Sequence, residues 1–285
     1  MHGEDPGSAR SGRGRPGAPV QRRVARDDAG LMIRRTIKGA EVCTNYRAPH
    51  EDFELRELKI ASLADLYRRT PWQPEIYQDY LAPIVADVDG KITPRLAGFG
   101  FWPRSLQKAN VERAKEAGRK PPIMRSTMNV RDDNLGKSPL YGPAWRAGRR
   151  CLIPADWIYE PCYETGKNVW HRIGLSGWRP MCVAGIWRTL RNPDGSEMSV
   201  MTMVTVNADT HPVMSRMHKP GDEKRSVVIL RPDDWEEWLT TSNVEAARAM
   251  LQLFPADEMA AEPAPRASDR NTASGTDVQS NTSLF

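Results

Sequence analysis

Between residues 43 and 254 the apolar positions fall into short runs separated by turn residues. Asp89-Gly90 divides "APIVADV" from "ITPRLAGFGFW", and Asp194-Gly195 divides "MCVAGIWRTL" from "MSVMTMVTV". An Asp-Gly pair between two apolar runs predicts a hairpin, because both residues tolerate the left-handed backbone of a tight turn. "RCLIPADWIY", "VWHRIGL" and "SVVIL" read as further strands. Helical spacing predicts helices over "FELRELKIASLADLYRR", over "PDDWEEWL" with Pro232 in the first turn, and over "NVEAARAMLQLF" behind the capping-box pattern Ser242-x-x-Glu245. There is no internal repeat and no strand–helix–strand alternation. The predicted class is therefore α+β: a single domain with a curved, barrel-like mixed or antiparallel β core flanked by helices.

The two ends break this pattern. Residues 1–42 are dominated by Gly, Pro, Arg and Ala with few large apolar side chains, and residues 255–285 are similarly poor in them. Neither buries enough surface to offset its ordering entropy, so both are expected to be disordered around a domain spanning 43–254. The net charge is +5, and the middle of the chain carries about +4 of it. A mildly basic domain suits a polyanion such as nucleic acid, and an ordinary solvated surface accounts for it equally. The four cysteines, Cys43, Cys151, Cys162 and Cys182, form no CxxC pair and have no histidine at zinc spacing, so neither metal nor cofactor is expected. The first thirty residues lack the apolar core of a signal peptide, and "MCVAGIW" is far too short to span a bilayer. A cytoplasmic protein with reduced thiols, no membrane contact and a monomeric state is the expectation.

Five segments carry candidate chemistry: "VCTNYR" (42–47), "GFGFWP" (98–103), "MNVRDD" (128–133), "RRCLIPADWIYE" (149–160), and "TVNAD" (205–209) followed by "MHKPGDEKRSVVIL" (217–230). In this order they resemble the SRAP family, the SOS-response-associated peptidase proteins that act on abasic sites in DNA. "RCLIPADWIYE" is the most specific match.

The resemblance implies a fold of the class above and a covalent reaction with single-stranded DNA containing abasic sites, in the nucleoid and without a cofactor. It also implies peptidase-type hydrolase activity and lyase-like crosslinking. In the family, a cysteine directly after the initiator methionine becomes the chain terminus, and its amine and thiol close a thiazolidine on the aldehyde of an abasic site. Cys43 maps onto that cysteine, although inside this chain its nitrogen is an amide. Cleavage between Val42 and Cys43 would free it, and so would initiation at Val42 from a GTG codon, for which the codons of Lys38-Gly39 would supply a ribosome-binding site. Asn129 and Glu160 map onto the family's active-site asparagine and proton-shuttling glutamate. The histidine motif departs most: with "KPGDE" read as an inserted loop, His218 is the functional histidine, whereas a second alignment through "SRM" puts Met214 there and leaves His211 or His218 to substitute.

The expected DNA contacts are Asn45 (in place of a family arginine), Arg47, Phe99 and Trp102 as stacking aromatics, Arg131, Thr205, Arg216 and Arg225. Cys151, Cys162 and Cys182 are expected in the core. Two rivals remain open: a thiol peptidase with Cys43, His218 and Glu160 as nucleophile, base and orienter, and a non-covalent single-strand-binding module of the same fold.

Overall fold

The computed structural model describes residues 45–264 apart from Ala61 and Pro193; Cys43, the extension expected over 1–42 and residues 265–285 of the one expected over 255–285 lie outside the described residues. The chain opens with β1 (Asn45–Arg47), followed by helices α1 (Asp52–Glu57) and α2 (Leu63–Arg69), β2 (Glu75–Tyr77), and the hairpin β3 (Leu81–Val88) and β4 (Lys91–Phe99). Helix α3 (Arg104–Glu116), β5 (Asn129–Arg131) and α4 (Gly142–Arg146) lead into β6 (Arg150–Ala155), β7 (Trp157–Cys162), β8 (Val169–Leu175), β9 (Met181–Arg191) and β10 (Glu197–Asn207). Then come β11 (Arg225–Val227), β12 (Ile229–Leu230), α5 (Trp235–Thr240), α6 (Val244–Ala249) and β13 (Met259–Pro263).

Two sheets organise these strands. In the first, β10, β4, β3, β6 and β9 pair in sequence and β9 pairs back onto β10, closing a five-stranded barrel. Only β10 and β4 run parallel within it. Closure leaves these strands no free edge. Gly185 in β9 is required by the packing: a Cβ there would sit 2.6 Å from Ile153 Cδ1 and 2.9 Å from Cys151 Sγ. Strand β10 outruns the barrel, and its last residues pair with β5 and β11. The second sheet is antiparallel, in the order β13-β8-β7-β1-β2. The single residue Asp156 separates β6 in one sheet from β7 in the other, so "RCLIPADWIY" is two strands.

The α+β barrel-like class matches expectation, and the hairpin turn at Asp89 (φ 54°) and Gly90 (φ 79°) is left-handed as its residues require. Three local expectations are corrected. The long helix near residue 60 is two helices, because the backbone turns left-handed at Lys59 (φ 54°) and Ser62 (φ 42°). Helix α6 ends at Ala249 and is capped by Asn243, whose side chain accepts from the backbone of Glu245 and Ala246. The domain does not stop at 254: β13 adds to β8 over residues 259–263, Met259 is buried, and Glu262 accepts from Arg172 Nε at 2.7 Å. A strand held mainly by its backbone ladder leaves little trace in the apolar pattern. Among the described residues no helix is long and apolar enough to cross a membrane.

Candidate functional site

Strand β7 alternates its side chains between two environments. Tyr159 donates to Glu75 Oε1 at 3.1 Å on one face; Glu160, fully buried, lies on the other and meets His218. The His218 Nε2 to Glu160 Oε2 distance is 2.9 Å. His218 arrives from the far end of the chain through a single helical turn, Met214–Arg216. Met217 then pairs with Cys162, and the His218 N–H donates to Pro161 O at 2.6 Å. This backbone places His218 at φ 62°, a region uncommon outside glycine and costing about 1 kcal/mol or more, as happens where surrounding contacts override local preference. Burial lowers the pKa of His218, but the charge of Glu160 and its hydrogen bond outweigh burial and leave it raised above 6.5. His218 Nδ1 is buried and makes no hydrogen bond among the described residues.

The competing assignments are separated by these contacts. His211 accepts at Nδ1 from the backbone of Val213 and Met214 and bonds through Nε2 to Phe254 O, so it is a structural tie. Met214 is buried core. Arg150 donates to the carbonyls of Trp238 and Thr241, and Arg149 lies over the Trp187 ring, so neither is the partner of Glu160.

Strand β1 lies beside β7, with Tyr46 opposite Ile158 and Arg47 opposite Trp157. Followed towards its N-terminus, β1 therefore runs along β7 towards Glu160. Asn45 is buried. Arg47 lies over the Trp157 ring and reaches Asp156 Oδ2 at 3.3 Å and Glu75 Oε1 at 3.7 Å. Asp156 is buried, and neither carboxylate oxygen accepts a well-aligned hydrogen bond. Desolvation and the nearby Glu54 charge outweigh Arg47, and its pKa is pushed up to about 7. His50, Glu54 and Asp156 bring ligand-type atoms within 4.8 Å of one another. The Arg47 guanidinium, 3.5 Å from His50 and 3.3 Å from Asp156, already supplies positive charge there.

The third part lies where β5 meets β10. Asn129 is half-buried and Arg131 exposed, on either side of buried Val130, so both leave the strand on the same face. Trp102 is half-buried beside this segment: its backbone N–H donates to Thr127 Oγ1, two residues before Asn129. Arg131 donates to both carboxylate oxygens of Asp133 and to Glu223. Arg216 is exposed and forms a two-pronged pair with Glu164.

Four expected DNA contacts are corrected by burial, among them Asn45, which has no exposed surface to offer a strand. Phe99 is fully buried, its ring edge-on to Tyr46 at 5.3 Å, and has no free face for a base. Thr205, 1% exposed, donates to Val130 O and accepts from Arg225 Nε. Arg225, 4% exposed, is consumed by Asp132, Glu223 and Thr205, as a buried guanidinium must be. Cys151, Cys162 and Cys182 are buried free thiols, and burial drives the pKa values of Cys151 and Cys182 well up, away from reactivity. Asp156, Asp133 and Glu223 were not singled out by the sequence. Asp156 lies inside the "ADW" motif and Asp133 inside "MNVRDD", two residues from its partner Arg131, whereas Glu223 gains its place from a contact made across the fold.

Residues 58–268 match the SOS response associated peptidase (SRAP) family. The abasic site processing protein YoqW of Bacillus subtilis is 27% identical over 137 residues, which cover 47% of this chain and 58% of YoqW. The chicken abasic site processing protein HMCES is 29% identical over 163 residues, covering 48% of this chain and 45% of HMCES. The chain thus spans about half the length of the curated relatives it matches. A crystal structure of a Bordetella bronchiseptica protein superposes with a TM-score of 0.65 at 28% identity, over 79% of this chain and all of that one. A Bacteroides thetaiotaomicron protein, at 18% identity and TM-score 0.59, covers 78% of this chain and 91% of its own, a likeness of fold alone. With the match extending over most of the described domain, the chain belongs to the SOS response associated peptidase family.

Proposed function

We propose that this protein processes abasic sites in single-stranded DNA by closing a thiazolidine on them through Cys43, assisted by Glu160 and His218. The observation that carries the reading is the buried Glu160–His218 hydrogen bond beside the strand that follows Cys43. Two peptide units separate Cys43 from Asn45, a reach of at most about 7 Å. The names of YoqW and HMCES support the same lesion.

The chemistry needs only what a terminal cysteine offers. An α-amine of pKa about 7.7 to 8.0 and a thiol near 8.5 are both partly nucleophilic at neutral pH. The amine adds to the aldehyde of the ring-opened sugar, and the resulting hydroxyl must leave as water. Its loss leaves an iminium that keeps one N–H, and the thiol then adds at carbon as it gives up its proton. Amine, thiol and aldehyde give ring plus one water. The buried pair supplies the proton to the departing hydroxyl and receives the one from sulfur. Asn129 holds the sugar or the amine in register, while Arg47, Trp102, Arg131 and Arg216 line the path of the strand.

A second reading, thiol peptidase activity, draws support from the same pair: Glu160 holds one imidazole nitrogen and leaves Nδ1 for a nucleophile. An oligonucleotide carrying one abasic site separates the readings. An SDS-stable adduct supports the first, and peptide cleavage without an adduct supports the second. Salt-sensitive binding with neither product leaves a non-covalent module and overturns both.

A further inference from the structure

The loop between His218 and Arg225 carries an acid that the chemistry above does not use. Glu223 Oε2 accepts from Arg131, while Oε1 accepts from Arg225 Nη1 at 2.7 Å and from Asn207 Nδ2 at 3.2 Å. Asp133 closes the rest of the same guanidinium, accepting from Arg131 Nε at 3.0 Å and Nη2 at 2.9 Å. All three nitrogens of Arg131 are thus directed at carboxylate oxygens, the planar donor array that also recognises a phosphate. The site is open: the Arg131 side chain is 43% exposed and that of Glu223 34%. The loop is fixed at its base, since Lys224 Nζ donates to the carbonyls of Lys219 at 2.7 Å and His218 at 3.2 Å, and the Lys224 N–H donates to Asp209 at 2.7 Å.

Resting on the DNA reading above, we propose that Glu223 is a specificity-determining residue that stands where a backbone phosphate would bind Arg131. Strand entry then exchanges a carboxylate for a phosphate on one guanidinium. The exchange is inexpensive because Glu223 keeps Arg225 and Asn207 through its other oxygen, so no bare carboxylate is released. It is also selective. The charges of Glu223 and Asp133 oppose any phosphate held by Arg131 alone, and undamaged strands, which form no bond to Cys43, suffer most from that opposition. The loop base, anchored on the His218 carbonyl, holds Glu223 in place while the catalytic pair stays buried.

The test is the affinity for an undamaged, fluorescently labelled single strand, read by anisotropy at fixed salt. Glu223→Gln should tighten binding about 5-fold by removing one repelling charge, and the gain should vanish when Arg131→Ala is also present. Asp133→Asn, on the opposite side of the guanidinium, should tighten binding in the same way and provides an independent variant should Glu223→Gln fold poorly. A merely structural role would weaken binding, so the sign of the change decides. Unchanged or weaker binding in both variants, or a gain that survives loss of Arg131, overturns the inference while the DNA reading stands. Absence of binding by the wild type and by both variants overturns the two together.

Discussion

Two acid–base pairs lie four residues apart around β7, and the fold treats them in opposite ways. Glu160 is fully buried yet has a directed hydrogen bond to His218, and the pair raises the histidine's pKa. Asp156 is equally buried beside Arg47, but at 3.3 Å and without good alignment, and its own pKa climbs to about 7. The contrast teaches that proximity to a cation does not by itself stabilise a buried carboxylate; aligned hydrogen bonds must replace the lost water. Under the proposed function the two have different tasks: one pair moves a proton, and the other joins the two sheets at the β6–β7 junction.

The contrast breaks most visibly in the reaction. Glu160→Gln should slow adduct formation at least about 100-fold, the size expected for losing general acid–base assistance, with single-strand affinity within about twofold. Asp156→Asn should change the rate less than about threefold. Single-turnover gel assays measure both, and equal losses would erase the distinction.

A smaller effect appears in stability. His218→Ala strands buried Glu160 without its imidazole partner and should cost about 3 kcal/mol by denaturant unfolding near neutral pH. Arg47→Met should cost less at pH 5.5, where Asp156 keeps its proton, and more at pH 8, where it does not. A pH-independent cost for Arg47→Met would show that Asp156 is ionised throughout.

The subtlest effect is the pH slope. Both raised groups bind protons more tightly folded than unfolded, so their contribution is lost as pH rises. For Asp156 the loss runs from about 4 to about 7; for His218 it begins near 6.5 and continues upward. The melting temperature should therefore fall across this range, and Asp156→Asn should flatten only the lower part of the fall. A flattening confined to the upper part would contradict the assignment.

Parts of this picture were legible in the sequence because their causes are local. The Asp89-Gly90 turn declares itself through two residues that accept positive φ, and Glu160 stands in a motif dense enough to mark it. His218 was readable once "KPGDE" was taken as an insertion, since the loop it describes closes on Lys224. Phe99 was not, because an aromatic between glycines reads the same whether it faces a base or the edge of Tyr46. Glu223 reaches Arg131 across 92 positions and Arg225 across two, and only the fold unites them. Strand β13 escaped notice because backbone pairing with β8, rather than an apolar stripe, holds it.

The central claim is that Cys43 reacts through both its nitrogen and its sulfur, assisted by Glu160 and His218. Intact-mass measurement of the adduct with an abasic single strand tests it most directly, using protein initiated immediately before Cys43 and protein beginning at Met1 and protected from processing. The account predicts a heat- and SDS-stable species from the first, at the mass of protein plus oligonucleotide less one water, and none from the second. An uncleaved full-length chain that yields an equally durable adduct would contradict it, because a thiol alone gives an aldehyde adduct that reverses readily.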